Sequence, residues 1–354
     1  MEANPSASAA VARAHTLDAA GRHEDAVGEL ATAAQGGDVE ATTQLAKRLI
    51  VGDRAPHLRP QGIGLLRDAV ALGSAEAADR LAVIAAAGAD GPPNWRAALG
   101  FLGLAVERGW QPARAALGVL ASIADSAPPA SPADARRLVR SLAEDTSLRR
   151  LLVPGEGTVL HEDPRICMFP EFVSPAVCDW LIGRAHGRLV RARVYDAFKR
   201  TDFVDESRTN SAAIFHGMDA DLVQLMVQAR MAVACGQPVS HMEAATVLHY
   251  ATGETIGNHY DFVDPEHPSY DEEIRRSGNR VVTFLIYLNT GYGGGETAFP
   301  RLDIRHFGQR GEGMFFVNTL PDGHANVRTL HSGRPPTSGE KWVFSQFVRN
   351  RSQL

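Results

Sequence analysis

Two hydrophobic patterns divide the chain, one with the spacing of helices and the other with the alternation of β-strands. Up to about residue 150, Leu and Ala recur every three or four residues, which places them on one face of a helix. From about residue 159, apolar residues instead fall in short runs bounded by Gly, Pro, Asn or Ser, for example AATVLHY, RVVTFLIYL and KWVFSQFV. The pattern predicts a helical N-terminal half and a β-rich C-terminal half.

The helical half repeats with a period of 36 residues, as the positions of Gly37, Gly73 and Gly109 show. Four further columns keep the same period: Leu30, Leu66 and Leu102; Ala33, Ala69 and Ala105; Ala41, Ala77 and Ala113; Leu45, Leu81 and Leu117. Each unit is predicted to be a helix, a glycine turn and a second helix. Because one helix pair cannot bury its apolar face alone, we expect at least three units to stack.

Proline and glycine mark where the helical half ends. The segment SAPPASPAD interrupts the repeat pattern, and residues 133–150 are then predicted to form one more, capping helix. The run PGEG follows at 154–157. We therefore expect a repeat domain over 1–153 and a second domain over 154–354.

In the second domain, Ser174 followed by Pro175 predicts the start of a helix, and another helix is predicted over 219–235. The strand-like runs that follow have no helices between them. Such a series of short strands favours a β-barrel or sandwich, for example a jelly roll.

Composition excludes several classes of function. The 354 residues are 44% hydrophobic and 22% charged, with a formal net charge of −5, so no field would attract nucleic acid or anionic lipid. Cys167, Cys178 and Cys235 lack a C-x-x-C spacing, which argues against a disulfide framework or a cysteine zinc site. The chain starts without a signal-peptide pattern and has no apolar run of about 18 residues. We expect a cytoplasmic protein without a nucleic-acid or membrane partner, and the oligomeric state stays open.

The run NHYDF at 258–262 is a candidate for part of a metal site. In a strand, His259 and Asp261 would project from one face, and Tyr260 and Phe262 would pack on the other. One imidazole and one carboxylate are two of the ligands in a two-His, one-carboxylate set, which leaves positions open on Fe(II). A strand that merely carries two polar residues on one face is the alternative at this point.

A second histidine would have to come from a later strand. His331 ends the strand-like run VRTLHS, where the direction of its side chain would be fixed, whereas His324 lies in a Pro-Asp-Gly turn. We therefore select His331 as the third candidate ligand.

Residues 160–350 resemble the prolyl 4-hydroxylase branch of the Fe(II)/2-oxoglutarate-dependent dioxygenases in the order and spacing of six blocks. These are FPEFVSPAVCDWLI, SRTNS, LHYATGETIGNHYDF, RVVTFLIYLN, GGGETAFP and LHSGRPPTSGEKWVFSQFVR. The resemblance implies a double-stranded β-helix, which agrees with the strand pattern. The expected fold class is thus α+β, with an N-terminal α-helical repeat array followed by a jelly-roll barrel with flanking helices.

The resemblance also implies roles for individual residues. The implied iron ligands are His259, Asp261 and His331. Lys341 would pair with the distal carboxylate of 2-oxoglutarate, and Tyr250 and Thr297 would bind the same carboxylate through their hydroxyls.

Arg208, in SRTNS, matches an Arg-Thr-Ser element near the substrate groove of that family, although Asn210 takes the third position here. A solvated loop arginine is the alternative reading of Arg208. The stretch VDPEHPSYDEEIRRSGN is predicted to be a loop that helps to cover the site, and His267 within it is predicted to be exposed.

The chemistry that the resemblance implies uses Fe(II), 2-oxoglutarate and O2, with ascorbate as a further cofactor. An unactivated C–H bond would be hydroxylated, foremost that of a proline in a peptide or protein, with release of succinate and CO2. Two alternatives stay open: a hydroxylase of a free amino acid or other small molecule, and a catalytically inactive, repeat-based interaction protein.

The N-terminal units resemble Sel-like repeats, which are relatives of tetratricopeptide repeats, over about residues 15–125. The resemblance implies a surface for peptides or proteins, so the array is a candidate to dock the substrate of the second domain. A purely structural cap on that domain is the alternative.

Overall fold

The computed structural model describes residues 8–196, 201–203 and 205–353. The chain forms two compact units, Met1–Arg149 with Gly217–Leu225, and Arg150–His216 with Met226–Leu354. Residues 217–225 therefore belong with the N-terminal unit, where the Arg80 guanidinium donates to the carbonyl oxygens of Met218 and Ala220 at 2.8 and 2.9 Å. Within the described ranges, no helix has the length and apolar character needed to cross a membrane.

The N-terminal unit is built from antiparallel helix pairs. Its helices are α1 Ala9–Ala19, α2 His23–Gln35, α3 Val39–Val51, α4 Arg59–Ala71, α5 Ala75–Ala87, α6 Trp95–Glu107, α7 Gln111–Ile123 and α8 Pro132–Leu142, with α9 Asp145–Leu152 at its end. The six helices α2–α7 have 13 residues each. Their starts recur every 36 residues, so the predicted helix pairs are confirmed.

The predicted glycine turns lie between the helices of each pair. Gly37, Gly73 and Gly109 have φ angles of 86°, 104° and 84°, a region that side-chain-bearing residues rarely adopt. The Leu and Ala columns face inward; Leu66 and Leu102, for example, are completely buried. The period therefore comes from two requirements in each unit, a left-handed turn residue and an apolar inner face.

Gly62 and Gly64 on α4 provide a matched test of this packing. A β-carbon at Gly62 would lie 2.7 Å from Cγ1 of Ile50 and 2.8 Å from the carbonyl oxygen of Ala46, whereas one at Gly64 would meet nothing within 4 Å. We expect Gly64→Ala to raise the free energy of unfolding by up to about 1 kcal/mol, because Ala favours the helix. Gly62→Ala should lower it by about 1–3 kcal/mol through overpacking. Urea unfolding measures both, and equal shifts would contradict close packing of α3 on α4.

The predicted single helix over 133–150 is wrong in one respect, because the structure has two helices there, α8 and α9. The amide of Ala143 bonds to the carbonyls of Val139 and Ser141, which ends α8, and α9 begins at Asp145. The run Asp-Thr-Ser at 145–147 has the residue types that favour a helix start over a helix interior.

In the C-terminal unit, the predicted helix at Ser174 is α10, Pro175–Ala185. The helix predicted over 219–235 is α11, Leu222–Cys235, whose residues 222–225 are grouped with the N-terminal unit and whose remainder belongs to the C-terminal unit. A short helix, α12, covers Asp271–Ser277. The strands are β1 Thr158–Glu162, β2 Arg165–Phe169, β3 Val190–Arg191, β4 Val194–Asp196, β5 Thr201–Phe203, β6 Ser211–Phe215, β7 Ala245–Tyr250, β8 Ile256–His259, β9 Arg280–Tyr287, β10 Gly293–Gly294, β11 Thr297–Phe299, β12 Ile304–His306, β13 Gly313–Val317, β14 His331–Gly333, β15 Pro336–Ser338 and β16 Lys341–Arg349.

Two antiparallel sheets make up most of this unit. The larger has the order β1-β2-β13-β9-β16-β7-β6-β3, and the smaller has the order β12-β11-β14-β8. Their inner faces share one apolar core, in which the ring of Phe299 from the smaller sheet meets that of Phe316 from the larger at 5.1 Å, edge to face. The prediction of a helical array followed by a double-stranded β-helix with flanking helices is confirmed.

Two predicted strands are shorter than the sequence pattern indicates. The run GNHYDFV leaves the sheet after His259, so Asp261 lies in a bend rather than in a strand. The run NVRTLHS starts with a 3-10 turn at Val327–Thr329, capped by the Asn326 side chain, which accepts the amide hydrogen of Arg328. Only at His331 does this second run enter the smaller sheet.

Candidate active site

The three predicted ligands meet at the end of the smaller sheet. His259 is the last residue of β8 and His331 the first of β14, and antiparallel pairing sets them opposite each other. Asp261, in the bend after β8, turns its carboxylate toward both. Its Oδ1 lies 3.4 Å from Nε2 of His259, and its Oδ2 lies 3.3 Å from Nε2 of His331. One ligand atom from each residue lies within 4.8 Å of the other two.

The hydrogen bonds of the two imidazoles define what this cluster can bind. Nδ1 of His259 faces the carbonyl oxygen of Gly257 at 2.8 Å, and Nδ1 of His331 faces that of Thr329 at 3.0 Å. A carbonyl only accepts, so each Nδ1 carries a hydrogen, and in the neutral ring Nε2 then presents a lone pair. Two lone pairs and a carboxylate then point at one another. Such a set of acceptors fits a divalent cation with nitrogen and oxygen preference, including Fe(II).

Burial and neighbouring charges keep His331 and Asp261 in the protonation states that bind metals. Burial lowers the pKa of His331 to about 4, so its ring is neutral at pH 7. Burial would raise the pKa of Asp261, but the neighbouring His331 and His259 and the hydroxyl of Thr283 outweigh it and lower that pKa. A neutral imidazole and an ionised carboxylate are the forms that bind metals.

Lys341 lies in the same cavity as the cluster, a space of about 1230 Å³ between the sheets. The lysine is the first residue of β16 and is 2% exposed. Its Nζ donates to the carbonyl oxygen of Gly295 at 2.7 Å, and among the described residues no carboxylate forms an ion pair with it. Burial lowers the pKa of Lys341 to about 8, against the opposing charge of Glu296. A buried ammonium without an ion-pair partner fits a ligand that brings its own carboxylate.

Tyr250 and Thr297 border the same end of the cavity. Tyr250 pairs with Lys341 across β7 and β16, and the Lys341 Nζ lies 5.3 Å from the centre of its ring. Thr297, on β11, is 3% exposed, and its Oγ1 accepts the hydroxyl hydrogen of Tyr287 at 2.8 Å. The structure thus gathers Lys341, Tyr250 and Thr297 around one pocket, with Tyr287 behind Thr297.

A comparison with protein-family models identifies the family to which this site belongs. The model described as the 2OG-Fe(II) oxygenase superfamily, where 2OG is 2-oxoglutarate, matches residues 245–349. Residues 245–349 are a 2OG-Fe(II) oxygenase domain. Fe(II), 2-oxoglutarate and O2 are the cofactor and cosubstrates of this superfamily, as the sequence predicts.

Several relatives of the oxygenase domain are prolyl 4-hydroxylases. Rat prolyl 4-hydroxylase subunit alpha-1 is 28% identical over 203 residues, which cover 57% of this chain but only 38% of that protein. Probable prolyl 4-hydroxylase 9 of Arabidopsis thaliana is 28% identical over 214 residues, which cover 55% of this chain and 72% of that protein. A solved structure, the viral collagen prolyl hydroxylase vCPH of Paramecium Bursaria Chlorella virus-1 in its 2OG complex, has 25% identity and a TM-score of 0.40, covering 52% of this chain and 95% of that chain.

Arg208 lines the same cavity and is half-buried, so it is not a freely solvated loop residue. Its backbone forms a bridge with Ile256 on β8, three residues before His259. Its Nη1 reaches the carbonyl oxygen of Arg193 at 3.4 Å, and its buried Nε has no partner among the described residues. Burial lowers the pKa of Arg208. Arg208 thus lines the cavity with one donor unpaired among the described residues.

His324 and His267, which the sequence does not predict to be ligands, lie outside the metal cluster. The His324 side chain is 78% exposed and pairs with Asp322. His267, predicted to be exposed, is instead half-buried because its ring packs 5.5 Å from that of Tyr270. Tyr260 and Phe262 stack on each other with ring centres 4.8 Å apart, as the packing prediction implies, yet both also line the cavity.

Thr283 and Asn318 are site residues that sequence reasoning missed. Thr283, on β9, donates its hydroxyl to Oδ2 of Asp261 at 2.7 Å, and Nδ2 of Asn318 donates to Thr283 at 2.9 Å. Phe316 packs its ring edge-on against His331 at 4.8 Å. The sequence signal that could have identified Thr283 is the alternation of residues along β9, which directs the side chains of Thr283 and Leu285 inward.

Replacing Thr283 tests this support of the oxygenase site. We expect Thr283→Val to lower the affinity for a divalent metal about tenfold, because the Asp261 carboxylate loses the hydroxyl that orients it. Thr283→Ser keeps that hydroxyl and should retain most of the affinity. Titration with Co(II), followed by its visible spectrum, measures both variants, and unchanged binding by the valine variant would contradict the role of Thr283.

Proposed function

We propose that the chain is an Fe(II)- and 2-oxoglutarate-dependent dioxygenase that hydroxylates an unactivated C–H bond. The observation that carries this proposal is the shared cavity, where three acceptor side chains converge and a buried ammonium has no ion-pair partner among the described residues. The three acceptor side chains suit a divalent metal, and the ammonium of Lys341 suits the distal carboxylate of 2-oxoglutarate. Few small molecules other than a dicarboxylic oxo acid would use both.

In this proposal each side chain has a defined task. His259, Asp261 and His331 hold Fe(II), and Lys341 binds the distal carboxylate together with the hydroxyls of Tyr250 and Thr297. With Fe(II) and 2-oxoglutarate bound, O2 supplies one oxygen atom to succinate, which forms with CO2, and the other to the substrate C–H bond. The sheets keep Lys341 and His331 away from water, which strengthens both contacts.

We propose a proline in a peptide or protein as the hydroxylated residue. The prolyl 4-hydroxylase relatives support this choice, and the cavity has room beyond what 2-oxoglutarate needs. Arg208 would contact the substrate, because it lines the cavity and its backbone forms a bridge with Ile256, three residues before His259. Free proline and other small substrates are the outcomes against which this choice is tested.

We also propose that the division at residues 153 and 154 separates a substrate-docking array from the catalytic domain. The repeat units support this, since stacked helix pairs typically offer extended surfaces to peptides. An enzyme that also docks flanking residues would bind its substrate at two points and gain effective concentration.

The deciding experiment measures succinate and the substrate product together. The full chain is incubated with Fe(II), 2-oxoglutarate, ascorbate and a library of proline-containing peptides, and mass spectrometry locates any added oxygen atom. Succinate together with oxygen on proline is the expected result. Oxygen only on other residues, or only on free amino acids, would overturn the prolyl assignment, and absence of succinate in all mixtures would overturn the dioxygenase assignment.

A further inference from the structure

A network of two arginines and two glutamates lies along the cavity, at the end of β16 that is far from Lys341. Arg349, the last residue of β16, donates to Glu243, to Glu273 on α12 and to the carbonyl oxygen of Gly278. Arg280, the first residue of β9, also pairs with Glu243. Glu243 thus accepts from both arginines, and none of the four side chains belongs to the metal cluster or to the 2-oxoglutarate pocket.

Arg280 has the most defined position in this network. Its Nε and Nη2 donate to the two carboxylate oxygens of Glu243 at 2.7 and 2.9 Å, which is a bidentate pair. The guanidinium carbon lies 3.9 Å from the centre of the Phe347 ring. Burial would lower the pKa of Arg280, but the charge of Glu243 outweighs burial and raises that pKa, so the side chain stays a cation.

The remaining donor of this guanidinium is directed at a metal ligand. Nη1 of Arg280 lies 3.5 Å from the carbonyl oxygen of Asp261, a long contact, and among the described residues that carbonyl has no other hydrogen bond. Asp261 lies beyond the end of β8, so no ladder hydrogen bond fixes its backbone. The strand β9 therefore reaches Asp261 twice, through Thr283 at the carboxylate and through Arg280 at the backbone.

We propose that Arg280 is a positioning residue that fixes the backbone of Asp261 and so sets the geometry of the metal cluster. This rests on the proposed function, since it takes Asp261 as a metal ligand. Glu243 and Phe347 contact the guanidinium on two sides, so its Nη1 is directed at the Asp261 carbonyl in the bend after β8. A cation against the Asp261 carbonyl also opposes outward rotation of this peptide, and a metal site depends on such supporting contacts.

The test compares two arginines of the same structural unit, the half-buried Arg280 and the buried Arg230. Arg230 is 9% exposed, donates to the carbonyls of Phe172, Arg150 and Leu151, and lies 5.7 Å over the ring of Phe172, but touches neither Asp261 nor Glu243. Arg280→Met and Arg230→Met in the full chain both remove an arginine that lies beside a phenylalanine ring. Co(II), standing in for Fe(II), reports affinity by titration and ligand geometry by its visible spectrum.

We expect Arg280→Met to weaken Co(II) binding about tenfold and to alter the Co(II) spectrum, as loss of an outer partner does at metal sites. Arg230→Met should lower the melting temperature and leave affinity and spectrum at their wild-type values. Wild-type affinity in Arg280→Met, or an equal loss in Arg230→Met, would overturn the positioning role.

Arg280→Lys keeps the test decisive if the methionine variant does not fold. The lysine keeps a charge for Glu243 but cannot also reach Asp261, so we expect weakened Co(II) binding here too, and wild-type binding would overturn the proposal. Failure of the wild-type protein itself to bind Co(II) is a different result, because it would overturn the metal site of the proposed function as a whole.

Discussion

Replacing His331 with alanine is expected to abolish metal binding and succinate formation, whereas replacing His324 should leave metal binding unchanged. The ring of His331 is buried, and its Nδ1 hydrogen bond to Thr329 directs Nε2 to the Asp261 carboxylate. Loss of a supporting partner alone costs about 10- to 100-fold in metal affinity, so loss of a ligand should cost at least about a hundredfold. His324 is exposed and pairs with Asp322.

The two variants separate the two histidines that the sequence offers as a third ligand. Titration with Co(II) measures affinity, and a succinate assay with Fe(II) and 2-oxoglutarate measures turnover. Circular dichroism of each variant shows whether the fold persists, since His331→Ala removes a ring that packs against Phe316. Undiminished turnover in His331→Ala, or loss of metal binding in His324→Ala instead, would show that the cluster is assigned to the wrong residues.

Features that repeat along the chain were predicted from the sequence most completely. Gly37, Gly73 and Gly109 reveal the helix pairs because a left-handed turn residue recurs at one place in each unit. The break between α8 and α9 was missed, because one turn of helix more or less hardly changes the apolar spacing near Ala143. In the repeats, a feature that is ambiguous in one unit can be recognised from the other units. The helices α8 and α9 at 132–152 occur once, so no second copy resolves the ambiguity.

The candidate site was predictable where a side chain's direction follows from its strand. His331 could be selected over His324 because a strand residue has a fixed direction and a turn residue does not. The strand argument predicts that Asp261 lies beside His259, and it does, but for a different reason. Because β8 ends at His259, the Asp261 carboxylate is held by Thr283 rather than by the strand.

The contacts that orient the candidate ligands could not be predicted from strand alternation. Thr283 and Arg280 both reach Asp261 from β9, about twenty residues away in sequence, and Tyr287 holds Thr297 from the end of the same strand. Nothing in the alternation of β9 distinguishes these side chains from ordinary inward-facing residues. Only the packing of the two sheets brings them to the bend after β8.

Lys341→Met is expected to remove the preference for 2-oxoglutarate over 2-oxopentanoate, an otherwise similar oxo acid that lacks the distal carboxylate. In the wild-type protein the buried ammonium favours the dicarboxylate, and removal of one partner from a buried charge pair costs about 2–5 kcal/mol. The Michaelis constant for 2-oxoglutarate should therefore rise at least about thirtyfold, while that for 2-oxopentanoate changes little. Lys47→Met, which breaks a lysine–glutamate pair with Glu76 in the repeat unit, is the matched control.

The pH dependence of 2-oxoglutarate binding provides an independent measurement of the same contact. The pKa of Lys341 is lowered to about 8 by burial, so the ammonium is present below that pH and is lost above it. Affinity for 2-oxoglutarate should fall as the pH rises through this range in the wild-type protein, and this fall should be absent in Lys341→Met. Because the ammonium lacks an anion when no ligand is bound, the same variant should also unfold at a higher temperature without 2-oxoglutarate. A variant that still prefers 2-oxoglutarate would place the distal carboxylate elsewhere in the cavity.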